Sequence, residues 1–135
     1  MKKKNIIIII VIAAVIILPV IWYFLPKRFG RFIKTEDVAS IEVRDGNTGT
    51  HFYITDPEDI KYIVENIKSH PMKRGKVSLF YMGTSFHLWY LNSNGKVLTD
   101  FIVNGECAIR KDPFFYSCDG GLCFDYLKEL SKNNK

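Results

Sequence analysis

The chain has 135 residues, of which 47% are hydrophobic, 24% charged and 14% aromatic, enough for one ordinary domain and too few for two. That composition excludes intrinsic disorder. Nineteen Lys and Arg against 14 Asp and Glu give a formal net charge of +5, but positions 35–135 hold 12 basic and 14 acidic residues. The surplus therefore borders an apolar N-terminal segment, and the rest of the chain is not charged for nucleic acid.

Lys2, Lys3 and Lys4 precede 21 uncharged residues, Asn5 to Leu25, dominated by Ile and Val. About 20 residues at 1.5 Å rise cross a hydrocarbon core, and in lipid a single segment pairs its backbone amides only as a helix. Residues 5–25 thus read as a transmembrane signal anchor, with Pro19 as a kink point and Trp22, Tyr23 and Phe24 at headgroup level. Lys-Lys-Lys before an apolar run also opens a cleaved export signal, but the run ends in bulky residues where signal peptidase wants small ones, and no lipid-accepting cysteine follows. Basic counts on the two flanks nearly balance. Export of the long C-terminal part is the expectation, because long domains translocate largely regardless of charge and the membrane potential holds back a short, strongly basic tail. Residues 1–4 are then a cytoplasmic tail, and 26–37 a basic juxtamembrane stalk whose Lys27, Arg28, Arg31 and Lys34 meet anionic headgroups or form a solvated linker.

Residues 38–132 carry the signals of one extracytoplasmic α+β domain, and 133–135 a frayed tail. Ile41 and Val43 alternate with Glu42 and Arg44, turn formers fill Asp45 to Gly49, and Phe52 and Ile54 alternate with His51 and Tyr53. This is a hairpin pairing Val43 with Phe52 and Ile41 with Ile54. Thr55-Asp56-Pro57-Glu58 opens a helix with a hydroxyl or carboxylate cap and a first-turn proline. Ile60, Ile63, Val64 and Ile67 are its buried stripe, and Ser69-His70-Pro71 its end. After a basic loop, Val77–Met82, Ser85–Leu91, Val97–Val103 and Cys107–Arg110 read as strands. Asn94-Gly95 as a two-residue turn pairs Leu91 with Leu98, Trp89 with Asp100 and His87 with Ile102 on one face, and Phe86, Leu88 and Tyr90 with Val103, Phe101 and Thr99 on the other. Leu122–Lys132 is a second helix, with Cys123, Tyr126, Leu127 and Leu130 as its stripe. The expected order is ββ-α-ββββ-α: a largely antiparallel sheet of about six strands with two helices on one face.

Chemistry is hard to find in this pattern. Cys107, Cys118 and Cys123 are odd in number, and the Asp-Gly-Gly-Leu spacer lets Cys118 and Cys123 meet as a disulfide or stay buried and reduced. His51, His70 and His87 form no ligand pair, and there is no nucleophile elbow, phosphate-binding glycine loop or matched pair of acids. No cofactor or metal is expected, and the chain reads as non-catalytic. A thiol-dependent envelope enzyme, in which a cysteine meets a histidine only through the fold, is the rival from another class.

The informative surplus is the second face of the sheet. Two helices need one apolar face, for which Ile41, Val43, Phe52, Ile54, Phe86, Leu88, Phe101 and Val103 suffice. Tyr53, His87, Trp89, Leu91, Leu98 and Ile102 remain, with Arg44 and His51 beside them. Aromatic residues and Arg on an open face are what protein interfaces enrich. Either this face binds an envelope partner, or the Cys107–Cys118 segment or the last helix folds over it.

The lysine-led Ile-rich span, the Ile54–Lys61 helix start, the Phe86–Lys96 hairpin and the Tyr126–Leu130 helix together resemble the uncharacterised small membrane-anchored envelope proteins of low-GC Gram-positive bacteria. This chain departs from their lipoprotein members in lacking a lipobox cysteine. The resemblance implies a bacterial, extracytoplasmic setting and supplies no catalytic residue. The expectation is a single-pass protein, N-terminus inside, that displays a binding domain outside, with membrane-held immunity or inhibitor proteins as an equal fit.

Overall fold

The computed structural model describes residues 2–134. Helix α1 (Lys3–Phe24) has 22 residues, about 33 Å at 1.5 Å rise, and none of them is buried against the rest of the protein. By length and composition it can cross a membrane. Nothing in the domain covers its Ile and Val side chains, so lipid is the environment its surface suits.

The rest of the chain is an α+β domain. Strands β1 (Ser40–Asp45), β2 (His51–Ile54), β3 (Lys73–Val77), β4 (Phe86–Leu91), β5 (Val97–Gly105), β6 (Ala108–Lys111) and β7 (Phe114–Ser117) form one fully antiparallel sheet in the order β2-β1-β4-β5-β6-β7-β3. Helices α2 (Pro57–Ser69) and α3 (Phe124–Asn133) lie together on one face. The eight expected core residues of that face are all buried, joined by Tyr90 and Ile109 from the sheet, the α2 stripe and Leu127 of α3.

Each helix is held by identifiable polar contacts. Asp56 caps α2, accepting from the backbone N–H of Glu58 at 2.8 Å and of Asp59 at 3.2 Å, so the carboxylate and not the Thr55 hydroxyl is the cap. Asn66 clamps the two helices, its Nδ2 donating to the Gly121 carbonyl at 2.9 Å and its Oδ1 accepting from the Cys123 N–H at 2.8 Å. Tyr126 of α3 donates to Asp59 of α2, which pushes its phenol up to about 12. At the far end of α3 the Ser131 hydroxyl donates to buried Asp45 at 2.8 Å, across to the β1–β2 turn.

The structure corrects the sequence reading in three places and decides between two alternatives in a fourth. The sheet has seven strands, because Phe114–Ser117 adds β7 where a connecting segment was expected; the basic segment Lys73–Val77, and not Val77–Met82, is β3 and pairs with β7, while Ser78 to Ser85 is a loop that leaves Phe80 97% exposed. The β4–β5 connection is the three-residue loop Ser93–Gly95, with Gly95 at φ +75°, closed by Asn92 and Lys96. A bulge at Leu98 absorbs the extra residue: Leu91 pairs with Val97, while the other five predicted pairs hold. The supposed stalk is part of the domain. Lys27 bridges Met72 backbone to backbone, and Phe29, 3% exposed, meets Tyr116 edge-on at 5.1 Å and Phe101 at 5.4 Å. Finally, Cys118 and Cys123 are not bonded. Cys123 turns into the core at the start of α3, whereas the Cys118 thiol faces the Glu106 and Gly120 carbonyls.

Candidate binding interface on the open face of the sheet

Strand alternation sends Glu42, Arg44, His51, Tyr53, His87, Trp89, Leu91 and Ile102 to the face opposite the helices. Neither of the expected covers lies there. Residues 108–117 extend the sheet as β6 and β7, and α3 packs on the core face through Leu127, Ser131 and Phe124, whose ring meets Phe86 at 5.4 Å. Over β6 and β7 the Ser78–Ser85 loop does touch this face. Arg110 grips the Asp112 carboxylate through Nε at 2.9 Å and a second nitrogen at 3.2 Å, and donates to the Gly83 carbonyl at 3.3 Å. Tyr81 meets Phe115 edge-on at 5.1 Å. From β2 to β5 the face stays open.

The register arranges this open part in two rows. His51, Arg44, His87, Ile102 and Arg110 face one another strand by strand, and so do Tyr53, Glu42, Trp89 and Asp100. His87 and Trp89, two apart on β4, stack with ring centres 3.6 Å apart and planes at 22°. His51 and Tyr53 lie side by side on β2, ring centres 5.6 Å apart and planes tilted at 54°. Charges are settled between the rows and by Lys111 of β6. His51 Nε2 meets Glu42 at 2.7 Å, and Asp100 takes His87 Nε2 at 3.1 Å and Lys111 Nζ at 3.1 Å. Burial alone would raise the Asp100 carboxyl, but the hydrogen bonds and charges of His87 and Lys111 outweigh it and hold the group below the usual carboxylate value. Arg44 is exposed, with no carboxylate within salt-bridge distance among the described residues.

The proposed set is thus gathered only in part. Tyr53, 54% exposed, Arg44 and His51 are on the surface, and His87 and Trp89 are half-buried. Leu91 and Ile102 are each 8% exposed, Ile102 lying between His87 and Arg110 in the ladder. Leu98 does not belong: the bulge turns it toward the core cluster. The face is therefore an aromatic and ionic surface and not an apolar patch. Glu42, Asp100 and Lys111, which fix the charge pattern, were missing from the sequence-based set, although the predicted pairing already set Trp89 opposite Asp100.

No cysteine sulfur lies within hydrogen-bond distance of an imidazole among the described residues. Burial pushes the Cys123 thiol up to about 12, so it stays protonated and unreactive. His70 is engaged in closing α2, its Nδ1 2.6 Å from the Asn66 carbonyl. No group of three or more His, Cys, Asp and Glu among the described residues has metal-binding geometry. No family model, no curated protein and no solved structure matches the chain.

Proposed function

We propose that this is a single-pass protein of a bacterial cell envelope, N-terminus cytoplasmic and domain extracytoplasmic, that binds a protein or other envelope component without catalysis. The observation that carries the reading is the open face from β2 to β5, where the stacked His87–Trp89 pair and the tilted His51–Tyr53 pair flank Arg44, a cation with no ion-pair partner among the described residues. A partner with a carboxylate or phosphate for Arg44 and a flat group for Trp89 and Tyr53 meets a surface already ordered by the sheet. The anchor suits a weak binder, because tethering raises its local concentration at the membrane. A cysteine–histidine enzyme is the less favoured reading, as no thiol and imidazole converge among the described residues.

The test is site-specific photo-cross-linking in native membranes. Position 89 is expected to give a discrete adduct that Tyr53→Ala and Arg44→Glu abolish without loss of thermal stability, while position 61, on the outer side of α2, gives none. Equal adducts from both positions would refute the interface. A reporter fused after Lys135 checks the orientation, and activity only in the cytoplasmic format would reverse it.

A further inference from the structure

Beyond that face, a cleft of about 560 Å³ lies where α1 joins the domain, between its last turn, the Pro26–Ile33 segment, Arg74 of β3 and the start of β5. Its lining holds Lys27, Arg28, Arg31, Arg74 and Lys111, and no carboxylate. Lys111 is neutralised by Asp100 from outside the cleft. The other four have no ion pair among the described residues and rest on rings and carbonyls instead. Lys27 sits 5.2 Å from the centre of Phe29 and 5.3 Å from that of Tyr116, and Arg31 5.5 Å from that of Phe32. Arg28 donates to the Ser69 carbonyl at 3.4 Å. Arg74 is wedged among Trp22, Tyr23, Phe114 and Tyr116 and donates to the Tyr23 carbonyl at 2.9 Å, leaving its Nε buried without a partner.

Four uncompensated cations around one hollow repel one another, and an anion seated among them relieves that repulsion. Guanidinium groups match phosphate oxygens in particular. Apart from Thr99 the remaining wall is apolar, with Trp22, Leu25 and Leu98, and Phe32 stands beside them 92% exposed. A ring left that bare beside a basic hollow suits a ligand that is phosphate on one side and hydrocarbon on the other. Trp22 and Tyr23 put the site at the level where such groups lie. The geometry points to a binding site for an anionic phospholipid headgroup, its phosphate held by Lys27, Arg28, Arg31 and Arg74 and its glycerol and first methylenes against Trp22, Leu25 and Phe32. This rests on α1 being a membrane span, and the cleft's size is that of an ordinary small-ligand site.

Full-length protein in nanodiscs of phosphatidylcholine mixed with phosphatidylglycerol provides the test, with retained lipids counted by native mass spectrometry after mild release. The wild type is expected to keep phosphatidylglycerol in preference to phosphatidylcholine. Each cation near a membrane surface is worth roughly fivefold, so Arg28→Gln with Arg31→Gln, both exposed, lowers that preference roughly 25-fold without changing thermal stability. Lys61→Gln with Lys128→Gln removes the same charge from the outer helix surfaces and is expected to leave it intact. Equal retention of both lipids, or the same loss in the two double variants, overturns the site. Displacement of phosphatidylglycerol by inorganic phosphate overturns the lipid assignment in favour of a soluble anion. Protein that fails to stay with nanodiscs of either composition refutes the span reading instead.

Discussion

The helix-covered face of the sheet and its open face differ most in how their polar groups are settled. Under the helices nearly every side chain is hydrocarbon, and the single buried carboxylate there, Asp45, takes a hydroxyl from Ser131 and N–H groups from Asn47 and Thr48. On the open face rings and charges alternate, with Glu42 on His51 and Asp100 on His87 and Lys111 at the surface. Exposed pairs of this kind contribute about 0–1 kcal/mol each, whereas burying one large aliphatic side chain contributes about 1.5–3 kcal/mol. Folding thus depends mainly on one face, and the other contributes little to it.

Leu88→Ala and Trp89→Ala, neighbours on β4 that point to opposite faces, break this comparison most directly. Leu88 is fully buried, so its truncation is expected to cost about 2–5 kcal/mol in urea unfolding. A loss below about 1 kcal/mol would mean that the helix-covered face is not the core. Gly46→Ala probes the end of β1 from the backbone. A Cβ there would lie 2.3 Å from the Thr84 carbonyl oxygen, and the shift it forces costs about 1–3 kcal/mol by the same measurement.

Next in size is the clamp between the helices. Asn66→Ala removes both partners of the Gly121 carbonyl and the Cys123 N–H, groups at the half-buried entry to α3. The expected loss is about 1–3 kcal/mol, with amide exchange rising first at the start of α3. Uniform acceleration across the sheet instead would show that α3 and the sheet open as one unit.

How far the sequence predicted each region follows from the kind of signal each carries. The β1–β2 register was readable because its apolar alternation has only one in-phase pairing, and α2 because its cap, proline and stripe agree. β3 was not. Its residues, Lys-Arg-Gly-Lys-Val, have no alternation to read, and they pair because β7 offers a free edge and Arg74 finds rings to lie on. Val77 to Met82 failed in the opposite sense, an apolar run that ends as an exposed loop. Phe29 shows the same limit: one aromatic in a basic segment carries no period, yet it closes the core beside Phe101. For the interface, strand parity separated the two faces correctly, and the single error, Leu98, came from taking a three-residue loop for a two-residue turn.

Smaller than the clamp is the acid limb of stability on the covered face. Burial would raise the Asp45 carboxyl, but hydrogen bonds from Ser131, Asn47 and Thr48 outweigh it and hold the group below its ordinary value near 3.8. A depressed carboxylate stabilises the fold fully above its unfolded pKa, and that contribution is lost as pH falls through the folded value. Stability is therefore expected to drop below about pH 4. Asp45→Asn, costing roughly 1 kcal/mol at neutral pH, is expected to shallow that slope. Asp100 and Asp112 are depressed as well and keep part of it, so an unchanged slope in the variant would assign the whole acid limb to them.

The smallest expected effect decides the comparison. Trp89 is half-buried only because it lies on His87 and between Glu42 and Asp100 in the ladder, and none of these contacts excludes water from a core. Trp89→Ala should therefore cost under about 1 kcal/mol, in the range of surface substitutions, although Trp is the largest side chain on the strand. In a Trp22→Phe background the emission of Trp89 alone can be followed, and free acrylamide is expected to quench it efficiently. Weak quenching together with a loss near that of Leu88→Ala would mean that the second face is also packed, and a surface needed for folding is not one that can be given to a partner.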